Sequence, residues 1–598
     1  MRIGSQPTYF DSANATLFGM MTFPEDKRIR GAVLICPALG KEANHTTRAL
    51  KRVSEKLAER GLLSLRFDYA GTGESSGQQD APNAVELWDE SITAAATLLS
   101  SVTSAPLVTL GYRMGGLLAA ENAAVKTKAA ALVLWDPVTS ARRFVRSQKA
   151  LYSVITERDH AACPDLDDPD IRLAGLFLHP TAAEHLFKKR LTSADLRKRP
   201  GTPLLALLRA EDMASESTNG SLGADTDVVA IGDQARLLNA QNPWYSSYPT
   251  EIGTVVSWID DHVGNDLDDV NFEARTSASM GVTHDGRDIV TEVRVRDDGI
   301  VVWDTAADGT HETADRILVS HPIGHDIRSG PARLYAELAL DVAACGGRMV
   351  RFDRPGVGES GATCESDTFS PLFTSDYSDS AMPILDELGL DGSPADAPEI
   401  VAHVGICAGS WMSSQAAIET ARRAPGTHAS AVLVNPNRWG LRPGSAFAPV
   451  DPDQPVSDAG KFDAMRRRWA DKAADSLSPR VGKLMPKWLS AWLGSYPALR
   501  MPDALVDGIR RRGVDVRFVF GPNDGAAFHR LNGPAAIRRR GWTVQVRESA
   551  VGDHSGYHIN IHRSVKSMCL DALGFAAPET AALNDQVAAT EAALEGRS

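Results

Sequence analysis

Cysteine is scarce: six in 598 residues, at positions 36, 163, 345, 364, 407 and 569, with no CxxC pair among them. That excludes a disulfide scaffold and a paired-cysteine zinc site, and a reducing, cytoplasmic setting is the expectation. Long apolar runs are missing too. No stretch approaches the ~18–20 apolar residues that a membrane helix needs, and the opening MRIGSQPTYFDSANATLFG has no hydrophobic signal core. Neither secretion nor a membrane span is expected. Positive charge is in the minority, 63 Lys and Arg against 76 Asp and Glu for a net charge of −13, which argues against a general nucleic-acid or anionic-membrane binder. There is no P-loop, no H-E-x-x-H and no His/Asp ligand run, so no metal and no cofactor are expected.

What is present is ordinary globular composition, 43% hydrophobic and 23% charged, over a length about four times a common ~150-residue domain. An internal repeat organises it. Residues 31 to 77 read GAVLICPALGKEANHTTRALKRVSEKLAERGLLSLRFDYAGTGESSG, and residues 316 to 361 read RILVSHPIGHDIRSGPARLYAELALDVAACGGRMVRFDRPGVGESG. Pro37 and Asp68 are 31 residues apart, as are Pro322 and Asp353, and Gly73-Glu74-Ser75 recurs as Gly358-Glu359-Ser360 at a constant offset of 285. The chain is a tandem duplication.

Each copy continues as a helical stretch (Val85 to Leu99; Ser380 to Leu388), an apolar strand, a glycine turn, a helix and further apolar strands. Short strands alternating with helices specify a mostly parallel sheet covered on both faces. The lead-in segments TLFGMMTFP and TEVRVRDDGIVVWDT predict antiparallel strands at the sheet edge. The expected organisation is a domain over 1–263, a linker over 264–275, a second domain over 276–575 with a helical cap at about 437–513, and a tail over 576–598.

The second copy carries the chemistry. Val404-Gly405-Ile406-Cys407-Ala408-Gly409 follows a strand and precedes a helix, the setting of a nucleophile elbow whose small residues let the central side chain project above a helix N-terminus. Cys407 is that side chain, and the dipole there favours a thiolate. The Pro/Gly loop after one strand, the D-x-x-G-x-G-x-S turn after the next, and this elbow together resemble the α/β-hydrolase superfamily over most of both halves. A cysteine at the elbow is similar to dienelactone hydrolases and polyhydroxyalkanoate synthases. The resemblance implies two tandem α/β-hydrolase-like domains and a triad in the order nucleophile, acid, histidine. Asp524, after the strand VRFVFG, and His554, in the loop before the last helix, fill the remaining places. His558 and His562, on that helix, read as surface residues. The oxyanion hole implied is the backbone N–H of Ala408 with that of Ile323, where a proline at 322 departs from the family's H-G-x-G.

The first copy reads Gly111-Tyr112-Arg113-Met114-Gly115 at the same place. A guanidinium has no lone pair with which to attack a carbonyl. An acid is available in Asp212, but no histidine follows it before His262, so this half is expected to be noncatalytic, with Arg113 a candidate clamp for a carboxylate or phosphate. Gly356-Val357-Gly358-Glu359-Ser360-Gly361 matches a dinucleotide fingerprint only in letters, since no helix opens after it.

The cap supplies apolar surface for an acyl group, with Trp439, and Trp411 after the elbow, as candidate substrate contacts. From Lys461 to Glu548 there are 18 Lys and Arg against 8 Asp and Glu, a local excess suited to an anionic carrier such as coenzyme A or an acyl-carrier protein. The expectation is an esterase or thioesterase acting through an acyl-cysteine. An acyltransferase or condensing enzyme using the same intermediate, and a noncatalytic tandem binding protein, are the alternatives.

Overall fold

The computed structural model describes residues 3–157, 171–192, 201–213, 226–232, 248–322, 324, 326–363, 372–390, 397–443 and 501–576. Two separate sheets carry the two copies. The first has eight strands in the spatial order Ile3–Asp11, Thr16–Pro24, Leu62–Phe67, Gly31–Cys36, Leu107–Tyr112, Ala129–Trp135, Leu204–Arg209 and Thr226–Ile231. The second has nine, in the order Ser277–Val282, Asp288–Val295, Val301–Ala307, Arg348–Phe352, Arg316–His321, Ile400–Ile406, His428–Val434, Asp515–Phe520 and Gln545–Glu548. In both, the leading strands are antiparallel and the rest run parallel. The chain is thus two tandem α/β-hydrolase-like domains.

The parallel strands are apolar along their whole length because helices cover both faces, leaving no solvent side to alternate with. In the first half Lys41–Glu59 and Pro249–Asp261 pack on one face, and Ala84–Val102 and Met114–Glu121 on the other. In the second, Leu334–Ala344 and Ile559–Ala572 lie on one face, while Phe373, Tyr377 and Trp411 pack on the other. The helix read over Ser380 to Leu388 instead begins at Ser375, stops at Asp379 and restarts as Met382–Glu387. Pro383 explains the break: it is tolerated in the first turn of a helix but not within one. The 264–275 segment is strapped to the first half, with Asp268–Asp269 paired to Arg28–Ile29 and the Asp268 carboxylate bound by Thr103 and Ser104. Residues 444–500, most of the expected cap, and the tail from 577 lie outside the described residues.

The halves meet through charges that the repeat duplicates. Arg66 forks onto Glu359 at 2.6 and 2.8 Å, and Arg351, its counterpart at the 285 offset, binds Glu74 at 2.8 and 2.7 Å. Arg48 donates to the carbonyls of Ser360 and Gly361, and its counterpart Arg333 to those of Gly73 and Gly77. Each half therefore offers its G-x-G-E-S turn to the other half's arginines, the isologous pattern of a two-fold interface. Burial alone would raise the Glu359 carboxyl, but the Arg66 fork outweighs it and holds it at about 2. Symmetry is not complete, and Arg328 marks one departure. Arg328 lies 3.1 Å from Asp353 and stacks 4.2 Å over Trp303, whereas the equivalent first-half residue is Ala43. The space left is a narrow cavity of about 80 Å³ between the halves, lined by Ala43, Asn44, Asp68, Tyr69 and Arg328. Desolvation pushes the half-buried Asp68 carboxyl up to about 6, with the Arg328 guanidinium 3.8 Å away offsetting only part of it.

Candidate active site

Cys407 sits between the strand Ile400–Ile406 and the helix Ala408–Arg423, at φ 55° and ψ −115°. That region is rare for a residue with a Cβ, and neighbouring glycines permit it. A Cβ on Gly405 would lie 2.2 Å from the Gly409 carbonyl, and one on Gly409 would lie 2.6 Å from the His321 carbonyl oxygen. The helix begins at Ala408, three residues before the Trp411 start expected. The Ala408 N–H is its first and has no intrahelical acceptor.

His554 lies in the loop before the last helix and donates from Nδ1 to both Asp524 carboxylate oxygens at 3.0 Å. This leaves Nε2 for the sulfur, and the ring hydrogen-bonds Cys407. Burial works against charging the imidazole, but the sulfur, with Asp524, overcomes it and holds the ring well above the usual histidine range. Cys407, Asp524 and His554, 147 residues apart at the extremes, thus converge at one end of the sheet.

Two asparagines organise this convergence, and sequence reading missed both. Asn435 ends the strand His428–Val434 at φ 44°. Its Nδ2 donates to the carbonyls of Asp553 and His554, each at 3.0 Å, while its Oδ1 accepts from the Gly521 N–H at 2.7 Å. One amide thereby ties the loop of the base to the strand end that carries the acid. Asn437 donates to the Cys407 sulfur at 3.2 Å. The sequence signal available was Asn435-Pro436-Asn437 directly after an apolar strand, a turn composition. Asp553 completes the loop, accepting from the backbone of Ser555, Tyr557 and His558.

The loop expected to give the second oxyanion donor is held from behind. Arg354 donates twice to the Gly324 carbonyl, at 2.9 and 2.7 Å, and the Tyr377 hydroxyl donates to the Pro322 carbonyl at 3.3 Å. Ile323 itself lies outside the described residues.

Several expectations need correction. His558 and His562 are buried, not on the surface. Tyr152 and Phe177 of the first half lie against them, with Tyr152 stacked on His558 at 6.3 Å and Phe177 5.7 Å from His562. Trp439 is buried against Phe518 and Phe528 and is core rather than substrate wall. Trp411 is also buried, its indole N–H given to the Gly440 carbonyl, but its face borders the site. Arg113 is not a free clamp: its fork is spent on Glu42 at 3.0 and 3.2 Å, with Asp136 3.2 Å away. Arg510, Arg511, Arg517 and Arg540, within the basic region, are paired with aspartates of this chain; Lys461 to Arg500 fall outside the described residues.

Residues 24–171 match the family model of serine aminopeptidase S33, a hydrolase family. That match supports, over part of the first half, the α/β-hydrolase resemblance carried by the repeated motifs. Similar solved structures include Est1E from Butyrivibrio proteoclasticus with ferulic acid bound (17% identity, 42% of this chain and 96% of that one, TM-score 0.32). Others are the esterase domain of a Rhodothermus marinus protein (17%, 44% and 100%, 0.29) and mouse alpha/beta hydrolase domain-containing protein 10 (17%, 43% and 97%, 0.30). No curated protein matches this chain by sequence. Its family match falls on the half whose elbow carries Arg113, not on the half that carries Cys407. Among the described residues no group of His, Cys, Asp and Glu is arranged to hold a metal ion, and no helix is long and apolar enough to cross a membrane.

Proposed function

We propose that this α/β hydrolase is a cytoplasmic acyl hydrolase, an esterase or thioesterase working through an acyl-cysteine on Cys407. The observation that carries the reading is the convergence of a strained Cys407 elbow with a His554 that Asp524 orients. An imidazole beside the sulfur takes its proton and leaves a thiolate nucleophile. The thiolate attacks the carbonyl carbon and a C–S bond forms as the π pair moves to oxygen. The Ala408 N–H, with that of Ile323, holds this oxyanion. Collapse breaks the bond to the leaving alcohol or thiol, which takes the proton from His554 Nε2. Water then gives His554 a proton as it attacks the thioester, and the sulfur leaves as thiolate.

The two domains are read as residues 1–263 and 276–575, the first noncatalytic because Arg113 occupies its elbow and is neutralised by Glu42 and Asp136. A carrier-bound acyl group, on coenzyme A or an acyl-carrier protein, remains the candidate substrate form, and an amine, alcohol or thiol in place of water would make the same intermediate a transferase's. Peptide-resolved mass spectrometry after exposure to acyl thioesters and activated esters tests the reading. An acyl mass on the Cys407 peptide alone, absent in Cys407→Ser and slowed in His554→Ala, is the expected result. Donor consumption that survives Cys407→Ser overturns it. Separate addition of water, amines and alcohols to the trapped intermediate assigns the acceptor.

A further inference from the structure

Immediately after the asparagine that touches the nucleophile comes a cation whose company is unlike that of the other arginines described above. Arg438 is half-buried, with its guanidinium 5.0 Å from the centre of the Phe373 ring and 5.4 Å from that of Trp411. Trp411 stands one helical turn beyond Cys407 and is itself stacked on Tyr377 at 6.2 Å. The guanidinium donates to two backbone carbonyls, Gly440 at a long 3.4 Å and Arg442. Five N–H donors are available on an arginine, and among the described residues no carboxylate is paired with Arg438. Other arginines of the chain are different. Arg354, on the far side of Tyr377, is spent on the Gly324 carbonyl, Arg113 on Glu42, and Arg66 on Glu359.

Burying a guanidinium without an anion is costly, and the cost shows as a pKa lowered to about 10 by desolvation alone. The aromatic faces of Phe373 and Trp411 offset part of it and fix the plane of the group. That arrangement holds a preoriented guanidinium on the aromatic cluster against which Cys407 also packs, a group able to bind a carboxylate.

We propose that Arg438 is a substrate-binding residue and that the acyl compound attacked by Cys407 carries a carboxylate, which docks on this guanidinium while the reacting carbonyl meets the sulfur. The inference rests on the nucleophile reading above and adds the substrate class to it. Asn437 and Arg438 then divide the work of one turn: the first contacts the sulfur and the second reads the charge of the substrate.

The test uses the full chain and thiol reagents, so no substrate need be known. Cys407 is alkylated with maleimidoacetic, maleimidopropionic and maleimidohexanoic acids, each against its own primary amide, at low ionic strength, and rates are followed on the Cys407 peptide by mass spectrometry. Acid and amide of one length meet the same sulfur, so changes in its pKa or nucleophilicity cancel in the ratio of their rates. A charge-assisted hydrogen bond is worth enough to make the acid about tenfold faster than the amide at the length that spans the gap. Arg438→Gln should return that ratio to the value for N-acetylcysteine, and Arg438→Lys, which keeps the charge without the fork, should hold an intermediate one. A ratio that is the same in the wild type and Arg438→Gln at every length overturns the inference and leaves the nucleophile reading intact. Suppression by inorganic phosphate with no preference for any acid overturns the carboxylate assignment. A Cys407 that reacts no faster than Cys345 with all reagents overturns both the nucleophile reading and the inference.

Discussion

The two elbows of this chain have the same backbone and opposite chemistry. Cys407 sits at φ 55° and ψ −115°, Arg113 at φ 53° and ψ −119°. In both, glycines at the flanking positions let the turn approach the neighbouring loop: a Cβ on Gly115 would lie 2.2 Å from the Cys36 carbonyl oxygen, as one on Gly409 would crowd that of His321. A strained strand-to-helix turn is usually a pointer to function. Here the first copy keeps the strain with no nucleophile, so the turn is a packing solution to joining a strand and helix at close quarters. The chemistry is an overlay of a few side chains. The same contrast runs through the following strand end, where Asn435 ties together the acid and base loops while its first-half counterpart, Asp136, neutralises Arg113 and accepts from Arg209.

The largest expected effect breaks the comparison outright. Cys407→Ala should lower acyl turnover by about 10⁴-fold, measured with an activated ester, and adding Arg113→Cys to that variant should restore neither turnover nor an acyl mass at residue 113. Next come the paired charges. Removing one partner of a buried ion pair strands the other at a cost of about 3–5 kcal/mol. Glu74→Ala and Glu359→Ala should therefore each lower the denaturation midpoint by similar amounts, and unequal losses would deny the pseudo-symmetry of the interface. Arg113→Ala should lie in the same range, because it leaves the buried Glu42 without its cation while Asp136 keeps Arg209. Smaller is the effect of Asn437→Ala, about 10²-fold in kcat/KM if its amide stabilises developing charge at the sulfur site as an oxyanion donor would.

Acid sharpens the comparison further. The folded pKa of Glu359, held at about 2, lies below its unfolded value near ~4.3. It therefore contributes stability fully above that unfolded value, and the contribution is lost as pH falls from there through about 2. Asp68 has the opposite sign: its folded pKa near 6 exceeds the unfolded ~3.9, so its contribution is present at low pH and lost as pH rises through about 6. Thermal unfolding followed from pH 7 to 3 should show the Glu359 loss on the acid side, and Glu359→Gln should flatten it. The smallest expected change is in Tyr152→Ala, a few-fold in kcat with KM nearly constant, since Tyr152 bears on the His554 loop from outside the site, by packing on Tyr557 and His558.

Much of the site was legible because motif, order and spacing report local chain geometry. Gly405 to Gly409 can only be a sharp turn, and the acid and base each follow a recognisable strand. Asn437 and Arg438 were not legible, since their roles depend on a turn folding back over a sulfur thirty residues earlier. His558 and His562 were misplaced for a related reason. Their helix carries polar residues at intervals that fit a surface, and nothing local announces that Tyr152 and Phe177, some four hundred residues earlier in the chain, cover them. The interface did leave a trace. Arg66 in LLSLRF and Arg351 in RMVRF are charges within otherwise buried strands, and both recur at the repeat offset with the glutamates they bind. A duplicated charge in an apolar strand is a sign of a partner beyond the strand's own domain.

The reciprocal bridges also bear on why a half with no nucleophile persists. Excising it would leave Arg351 and Glu359 exposed and unanswered, yet each is the complement of the other on a second identical copy, because Arg66 and Glu74 are merely their duplicates. The second half expressed alone should therefore pair with itself, and the fused chain is in effect a tethered homodimer. On the function proposed above, tethering would free one member to lose its chemistry while the bridges keep it as a scaffold for the other.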